Sequence, residues 1–263
     1  MTVGAPGCFY QRLGFEDDLA LFASTDHTRS NWNREIQHGS PPLALLTKAV
    51  EETLPSGMRI GRLSMDLLGA VPVSEVGVRA WTERPGRRIC LLAAEMTDQS
   101  GRAVARMSAW ALAASDTSDV ATDRYPPLVE GETATLTWDW PEMTGYLDSV
   151  EFRPQYGQSA GATVYWMRPL GGLVGDEPTT ALQRLTMVVD SANGIGAALD
   201  PARFAYMNTD TTVHLHRLPT GQDFGVRARG SIGPDGIGVT TAEIFDAHGF
   251  VGTSAQTLLV QRS

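Results

Sequence analysis

Cysteine is scarce in this sequence: only Cys8 and Cys90 occur among 263 residues. Two cysteines so far apart support neither a disulfide scaffold nor a CxxC metal site, and no cluster of histidine and cysteine accompanies them. We therefore expect no metal and no cofactor. The composition fits the reducing environment of the cytoplasm best.

Long apolar runs are also missing. No stretch approaches the roughly 18 apolar residues that are needed to cross a bilayer, so we expect no membrane span. Residues 1–30 lack a basic segment followed by an apolar one, because Arg12, Glu16 and Asp17 interrupt every candidate. This pattern predicts no secretion signal.

Basic residues are outnumbered: 21 Lys and Arg stand against 30 Asp and Glu, which gives a net charge of −9. A protein whose main partner is a nucleic acid needs clustered Lys and Arg to contact phosphates, so this balance argues against such a partner. The local cluster of Arg84, Arg87 and Arg88 could still contact an anionic group, but a solvated turn between two strands is the favoured interpretation.

The sequence contains an internal repeat. Gly77-Val78-Arg79-Ala80 recurs as Gly225-Val226-Arg227-Ala228, an offset of 148 residues. The same offset matches Glu95 with Glu243 and Gly101 with Gly249, and it pairs Gln256 with Ser108. Each half therefore ends in a hairpin, with Asp and Gly bracketing the turn.

The first half reads as one helix followed by four strands. Pro41 and Pro42 begin a run of helix formers that ends at Glu52, as in a helix with proline in its first turn. The strands are separated by turn formers and are predicted at 59–71, 77–84, 88–97 and 103–114. The second half repeats this order, with a helix near Thr180 to Leu199 and strands at 211–217, 224–230, 236–245 and 250–261.

This order, given twice, predicts an α+β fold in which each half wraps an antiparallel sheet around one helix. We infer two fused units, residues 1–114 and 143–263, since strand-rich units with a single helix leave sheet edges that pairing would cover. Residues 115–142 are rich in Asp, Thr, Pro and Glu and form the predicted connection. Within it, Trp138 and Trp140 are expected to dock on the second half.

Four stretches occur in an order that resembles a known family. Gln37 to Pro42 open the first helix, Leu185 to Gly196 belong to the second, Asn208 to Arg217 begin a strand, and Ser254 to Thr257 lie in the last strand. Through them nearly the whole chain resembles the TesB-like acyl-CoA thioesterases. The resemblance implies a double hotdog fold and hydrolysis of an acyl-CoA or acyl-carrier thioester by an activated water, in cytoplasmic lipid metabolism.

The resemblance also implies three catalytic positions in the second half. In that family a carboxylate on the second helix, a hydroxyl residue on the next strand and a glutamine on the last strand hold the attacking water. Asp190 matches the carboxylate and Gln256 the glutamine, whereas Asn208 stands where the hydroxyl residue is expected. Its amide can still orient a water. The adjacent Thr209 does not substitute for it, because neighbouring side chains on a strand point to opposite faces.

The turn before the first helix is the predicted substrate-binding element. His38, Gly39 and Ser40 precede a helix N-terminus, which presents free backbone N–H groups. The resemblance suggests that the amide of Gly39 or Ser40 polarises the thioester carbonyl, with the helix dipole favouring the developing charge. The three catalytic positions would then share one water near this turn, at the junction between the halves.

Simpler roles are open for each of these residues. Asp190 could cap a neighbouring turn, Gln256 could bridge the two halves, and His38-Gly39 could be only a tight turn into a helix that starts with proline. Large side chains could line an acyl tunnel, although most of them are expected in the core; the candidates are Trp32, Met65, Trp110, Met187 and Phe204.

Two other functions are also open. A hotdog hydratase or dehydratase would need a histidine and a carboxylate near the acyl β-carbon, and the Asp-x-Asn-Pro-x-His pattern of that group is not found, since Asp190-Ser191-Ala192-Asn193 continues without proline or histidine. A non-catalytic protein that binds acyl thioesters is compatible with Asn208. For the fused chain we expect a monomer or a homodimer.

Overall fold

The computed structural model of the chain describes residues 7–134, 145–156, 161–196 and 199–262. The helices are α1 (Ser40–Thr53), α2 (Ala181–Thr186) and α3 (Ala192–Gly196). The strands are β1 (Tyr10–Glu16), β2 (Leu19–Ser24), β3 (Met58–Leu67), β4 (Glu75–Arg84), β5 (Ile89–Thr97), β6 (Ala103–Ala113), β7 (Val150–Pro154), β8 (Thr163–Pro169), β9 (Phe204–Asn208), β10 (Asp210–Leu215), β11 (Phe224–Ile232), β12 (Ile237–Asp246) and β13 (Gly249–Arg262).

Within these ranges, thirteen strands form one sheet in the order β1-β2-β4-β5-β6-β3-β10-β13-β12-β11-β8-β7, with β9 also beside β13. The central pair β3–β10, which we call the seam, joins the two halves of the chain. Ser64 lies opposite Thr212 there, and their hydroxyl oxygens are 2.8 Å apart. Two residues separated by the repeat offset of 148 thus meet at the centre. The halves are therefore related by an approximate twofold axis through the seam.

Each half of the sheet packs on its own helix. Helix α1 packs against β3 to β6, and α3 packs against β8 and β11 to β13. Ten residues of α1 are buried, and they include charged Lys48, so α1 is a core helix enclosed by the sheet rather than an amphipathic surface helix. The predicted α+β architecture of two fused, helix-wrapped antiparallel sheets is confirmed.

The repeat is visible in equivalent ion pairs. Arg79 and Glu95 lie opposite each other on β4 and β5, with Nη2 and Oε1 3.0 Å apart. Arg227 and Glu243 occupy the same places on β11 and β12, with Nη1 and Oε2 2.7 Å apart. Cross-strand pairs of opposite charge stabilise a sheet modestly, so equivalent ion pairs help to fix the strand register in both halves.

The predicted match of Gln256 with Ser108 is wrong. Gln256 lies opposite Thr240 on β12, and the equivalent of Thr240 in the first half, Leu92, lies opposite Ala109. The reason is a difference in turn length: Thr97 pairs with Ala103, but its equivalent Phe245 pairs with Phe250, one residue sooner. Gln256 therefore faces the core at a position where the first half has alanine.

The predicted continuous helix from Thr180 to Leu199 is also wrong. The chain forms α2, a 3₁₀ turn at Val189–Ser191 and then α3. The break occurs at Val188, whose φ of −127° lies outside the helical range, and β-branched residues such as Val188 and Val189 have a lower helix propensity. Two carbonyl groups near the break accept side-chain hydrogen bonds: that of Met187 from Tyr146 Oη (3.0 Å) and that of Asp190 from Gln256 Nε2 (2.9 Å).

The predicted connection is only partly described. From 115 to 134 it contains one 3₁₀ turn, Ser118–Val120, and an isolated bridge between Thr133 and Gln155. Trp138 and Trp140 lie outside the described residues. The boundaries of the two units stay a prediction.

A partly buried ionic network links α1 and β1 to the segment before α2. Lys48 Nζ lies 2.7 Å from Glu177 Oε2 and 2.8 Å from Glu52 Oε1, while Arg12 Nε lies 2.6 Å from Glu177 Oε1. The Arg12 hydrogen bond, followed by that of Lys48, lowers the pKa of Glu177 from 4.5 to about 2. The carboxylate is therefore more stable in the folded than in the unfolded chain.

Replacing Glu177 should remove pH-dependent stability. Because its folded pKa is depressed, its contribution is fully present above pH 4.5 and is lost as pH falls towards 2. Glu177→Gln should lower the free energy of unfolding by about 1–3 kcal/mol at pH 7, and the difference from the original protein should shrink below pH 4.5. Urea unfolding at several pH values measures this.

The control is Glu16→Gln, since Glu16 is exposed and forms no ion pair within the part of the chain that the structure describes. An equal loss of stability in both variants at every pH would contradict the role of the network.

Candidate active site

Asp190 is buried in the 3₁₀ turn between α2 and α3, with 1% of its surface exposed. Three side chains donate hydrogen bonds to one carboxylate oxygen, Oδ1: Thr211 Oγ1 at 2.5 Å, Asn208 Nδ2 at 2.8 Å and Gln256 Nε2 at 3.2 Å. A buried carboxylate is stable only when it is paired or hydrogen-bonded, and here the donors on the sheet satisfy that requirement.

A strand irregularity brings two of these donors to the same face. Asn208 lies opposite Leu258, and Thr212 lies opposite Ala255. Four steps along β9 and β10 therefore match three steps along β13, as in a β-bulge. In a regular strand, residues 208 and 211 would face opposite sides. The extra residue turns Thr211 towards Asp190, while Thr209 is exposed.

Thr211 is the functional candidate that sequence reasoning missed. Its hydroxyl also accepts hydrogen bonds from Gln256 Nε2 (3.0 Å) and Asn208 Nδ2 (3.1 Å). The signal was present, because Thr211 lies in the quoted stretch from Asn208 to Arg217. Regular strand alternation counted from Asn208 places residue 211 on the opposite face of the strand, so this pattern did not predict a role for Thr211.

The other carboxylate oxygen, Oδ2, faces the beginning of α1. A Cβ atom added to Gly39 would lie 2.9 Å from Asp190 Cγ, with Oδ2 closer still. The backbone of Gly39 has an ordinary φ of −67°, so glycine is required here by space and not by conformation. Gly39 of the first half and Asp190 of the second are thus in direct contact across the molecule.

The first turn of α1 leaves one amide free. Pro41 and Pro42 have no N–H group. Ser40 N donates to His38 Nδ1 at 3.1 Å, so the amide of Ser40 is already used. The N–H of Gly39 has no hydrogen-bond acceptor in the described segments. Of the two predicted carbonyl donors, Gly39 is therefore the one whose amide is available.

His38 is held as a neutral ring beside the carboxylate. It stacks on Tyr146 with ring centroids 3.7 Å apart and an angle of 6°, and its Nδ1 lies 3.9 Å from Asp190 Oδ2. Burial lowers the pKa of His38 to about 4, although the charge of Asp190 opposes this shift. Because Nδ1 accepts from Ser40, the ring proton is assigned to Nε2.

Tyr146 connects the two halves beneath the site and was also missed. Its hydroxyl accepts from Ser40 Oγ (3.0 Å) and lies 2.8 Å from Ser191 Oγ, besides donating to the Met187 carbonyl. Burial raises its pKa above the usual range, so it remains a neutral phenol. No sequence motif marks it, since it lies outside the four stretches.

A cavity of about 920 Å³ adjoins this cluster. His38, Gly39, Asp190 and Asn208 line it, whereas Ser40, Thr211 and Gln256 do not. Of the side chains proposed for an acyl tunnel, only Trp32 lines the cavity. Apolar residues make up much of the rest of its wall: Ile36, Leu67, Val71, Leu147, Phe152, Ile195, Leu199, Tyr206, Met207 and Leu259. Such a cavity accommodates an apolar group next to the Asp190 carboxylate.

Across the described ranges, no group of three or more His, Cys, Asp or Glu residues is arranged to hold a metal ion. None of the described helices is long and apolar enough to span a membrane.

Comparisons with known proteins agree with the sequence resemblance. The family model "Acyl-CoA thioesterase N-terminal domain" matches residues 28–112, and "Acyl-CoA thioesterase C-terminal domain" matches residues 122–260. No curated protein sequence matches the chain.

Several solved structures have the same fold. A candidate thioesterase from Novosphingobium aromaticivorans has a TM-score of 0.73 at 16% identity, covering 95% of this chain and 98% of its own. A hot dog fold protein of unknown function from Alicyclobacillus acidocaldarius has 0.71 at 15%, covering 94% of both chains. An acyl-CoA thioesterase II from Mycobacterium marinum has 0.69 at 14%, covering 97% and 95%. The predicted double hotdog fold is confirmed.

A methyl group at Gly39 should displace the Asp190 carboxylate. Gly39→Ala should leave the helix intact, because its φ of −67° suits alanine, and yet should lower about 10²-fold any reaction on acyl-CoA that uses this carboxylate, as expected when a reacting group moves by about 1 Å. The matched control is Gly172→Ala, where the added Cβ meets Thr179 Oγ1 only at an ordinary 3.7 Å. Thiol release and circular dichroism measure both effects; equal activity of the two variants would contradict the contact.

Proposed function

The chain belongs to the acyl-CoA thioesterase family, and on that basis we propose that it hydrolyses acyl thioesters with Asp190 as the general base. The observation that carries the proposal is the unequal use of the carboxylate. Three donors occupy Oδ1, while Oδ2 faces Gly39 and His38 at the cavity. One oxygen fixes the group and the other is free to accept a proton from water.

In the proposed reaction, a water on Asp190 Oδ2 attacks the carbonyl carbon of the thioester. Its proton passes to Oδ2 as the new carbon–oxygen bond forms, and the carbonyl electron pair moves to oxygen. Collapse of this oxyanion breaks the carbon–sulfur bond, and the thiolate leaves with the proton from Asp190. The products are the free acid and the thiol.

Two neutral donors are suited to hold the oxyanion. The N–H of Gly39 stands at the N-terminus of α1, where the helix dipole favours negative charge. The Nε2–H of His38 is fixed by the Ser40 hydrogen bond to Nδ1 (3.1 Å) and by the stack on Tyr146. Each such donor typically contributes about 10²–10³ to the rate. Ser40 would act through His38 and not on the substrate itself.

The proposal changes the expected roles of Asn208 and Gln256. The sequence suggested that both orient the attacking water, but their amide nitrogens donate to Asp190 Oδ1. The oxygen of Asn208 accepts from Asn193 Nδ2 at 3.2 Å. We therefore assign Asn208, Thr211 and Gln256 to positioning the carboxylate, with the water held at Oδ2.

A hydratase or dehydratase is less compatible with this geometry. It would need a histidine that exchanges protons near neutral pH, and the pKa of His38 is about 4. A non-catalytic binding protein would retain the cavity without needing a free carboxylate oxygen. We further propose that the substrate is a thioester of CoA or of an acyl carrier and that the protein acts in cytoplasmic lipid metabolism. A homodimer is part of the same proposal.

Removing the base should abolish most activity without unfolding the protein. Asp190→Asn should lower kcat for thioester hydrolysis by about 10²-fold or more, since general-base catalysis typically contributes ~10²–10⁴. Gln256→Ala should cost less, because two donors to Oδ1 remain. Thiol release from acyl-CoA substrates of several chain lengths, together with thermal unfolding, measures this. Full activity of Asp190→Asn would favour the binding-protein alternative.

The Thr211 hydroxyl should contribute more to kcat than the hydroxyl of Thr212. Thr211→Val keeps the shape but removes a hydrogen bond to a carboxylate, and kcat should fall about 10-fold or more. The matched control is Thr212→Val, which loses only the seam contact with Ser64 and should keep kcat. If both variants have the same kcat, Thr211 does not position Asp190.

A further inference from the structure

The β9–β13 ribbon leads from the candidate active site to the protein surface. Asn208 and Leu258 are paired at its inner end, and Phe204 and Arg262 are paired at its outer end. Four residue steps of extended chain separate these pairs, a distance of about 13 Å. Between them Tyr206 lies opposite Val260 on the same face of the ribbon, and Tyr206 lines the cavity. This face of the ribbon thus forms an apolar part of the cavity wall.

Two arginines meet at the outer end of this wall. The Cζ atoms of Arg203 and Arg262 lie 5.8 Å and 5.0 Å from the centroid of the Phe204 ring. Contact with an aromatic ring restrains a guanidinium group while leaving its N–H donors free for an anion. Both arginines are exposed, so an anionic ligand can reach them.

These two arginines differ from most others in the protein. Arg12, Arg153 and Arg217, for example, each contact a carboxylate within 2.7 Å. Neither Arg203 nor Arg262 forms an ion pair with any carboxylate of the described residues. The nearest acidic residue along the chain is Asp200, whose Oδ1 accepts from Ala202 N at 2.9 Å. In a chain of net charge −9, such a pair is a local positive site.

The arginines lie next to residues that line the cavity, although they do not line it themselves. Leu199, Asp200, Pro201 and Ala202 line it, and Arg203 follows directly. Another part of the wall contains Leu147, Phe152 and Ile195, of which Phe152 and Ile195 are 9% and 5% exposed. The cavity therefore has a buried apolar part and carries Asp190 on its wall, and the two cations lie next to the segment 199–202 that lines it.

We propose that Arg203 and Arg262 bind the phosphate groups of the CoA portion of the substrate. This rests on the proposed function, and it orients the thioester: the acyl group enters the buried apolar part, and the arm that carries sulfur lies along Tyr206 towards Phe204 and the surface. Guanidinium groups suit phosphate because their N–H donors match its oxygens in pairs.

The test compares one acyl group on two thiols. Acyl-CoA carries the phosphates, whereas the corresponding N-acetylcysteamine thioester lacks them. The double variant Arg203→Gln/Arg262→Gln should raise KM for acyl-CoA about 10-fold or more, as expected for lost charge-assisted hydrogen bonds, with little change in kcat. Its kinetics on the N-acetylcysteamine thioester should equal those of the original protein.

The matched control removes the same charge elsewhere. Arg87 and Arg88 lie in the exposed turn before β5. This turn is at the opposite end of the strands from Leu67, the last residue of β3, which lines the cavity. Arg87→Gln/Arg88→Gln should leave KM for acyl-CoA unchanged, and thermal unfolding should show that both double variants are folded. An equal rise in KM for the two double variants would indicate a general charge effect and overturn the proposal.

Binding of CoA itself, measured by calorimetry, separates the two possible failures. If the original protein hydrolyses both thioesters and the Arg203/Arg262 variant has an unchanged KM for acyl-CoA, the phosphate site is wrong and the proposed function stands. If the protein hydrolyses neither thioester, the proposed function fails. In that case weaker CoA binding by the variant still supports the phosphate site, and unchanged binding overturns it.

Discussion

The burial of one carboxylate between the two halves is the constraint on which the rest of the site depends. Asp190 is almost inaccessible to water, and an unsatisfied charge there would cost several kcal/mol. The hydrogen bonds to Oδ1 from β9, β10 and β13 meet this cost. The interruption after α2, the bulge before β10 and the glutamine at 256 all place groups that the carboxylate requires.

The two halves share the same arrangement of strands but differ at core positions and in the continuity of their helices. The first half has Ala109 where the second has Gln256, and its helix α1 is continuous where the second is broken. The site needs both versions. The first half supplies a straight helix with a free Gly39 amide at its start, and the second supplies the carboxylate. In the proposed reaction the general base and the Gly39 carbonyl donor therefore come from different halves.

The two oxygens of the Asp190 carboxylate have different surroundings: Oδ1 accepts three hydrogen bonds, and Oδ2 faces Gly39 and His38. The groups on the Oδ2 side are neutral: burial keeps His38 uncharged at neutral pH, and Tyr146 beneath it is a phenol. Neutral donors can stabilise an oxyanion without forming a salt bridge that would neutralise the base. The prolines after Ser40 contribute by leaving no competing amides in the first turn of α1.

The sequence by itself determined the repeat, the four strands β3 to β6 and their equivalents β10 to β13, the proline-started helix, and the motifs that point to Asp190, Asn208 and Gln256, whereas β1, β2 and β7 to β9 were not predicted. These features follow from local periodicity, turn formers and short motifs, which are written in neighbouring residues. Only the tertiary structure decided that Gln256 corresponds to Ala109, that Thr211 faces Asp190 beside Asn208, and that Tyr146 joins the halves. Register, bulges and breaks depend on which distant strands pair and on which buried groups must be satisfied, so they are fixed by long-range contacts that no local pattern encodes.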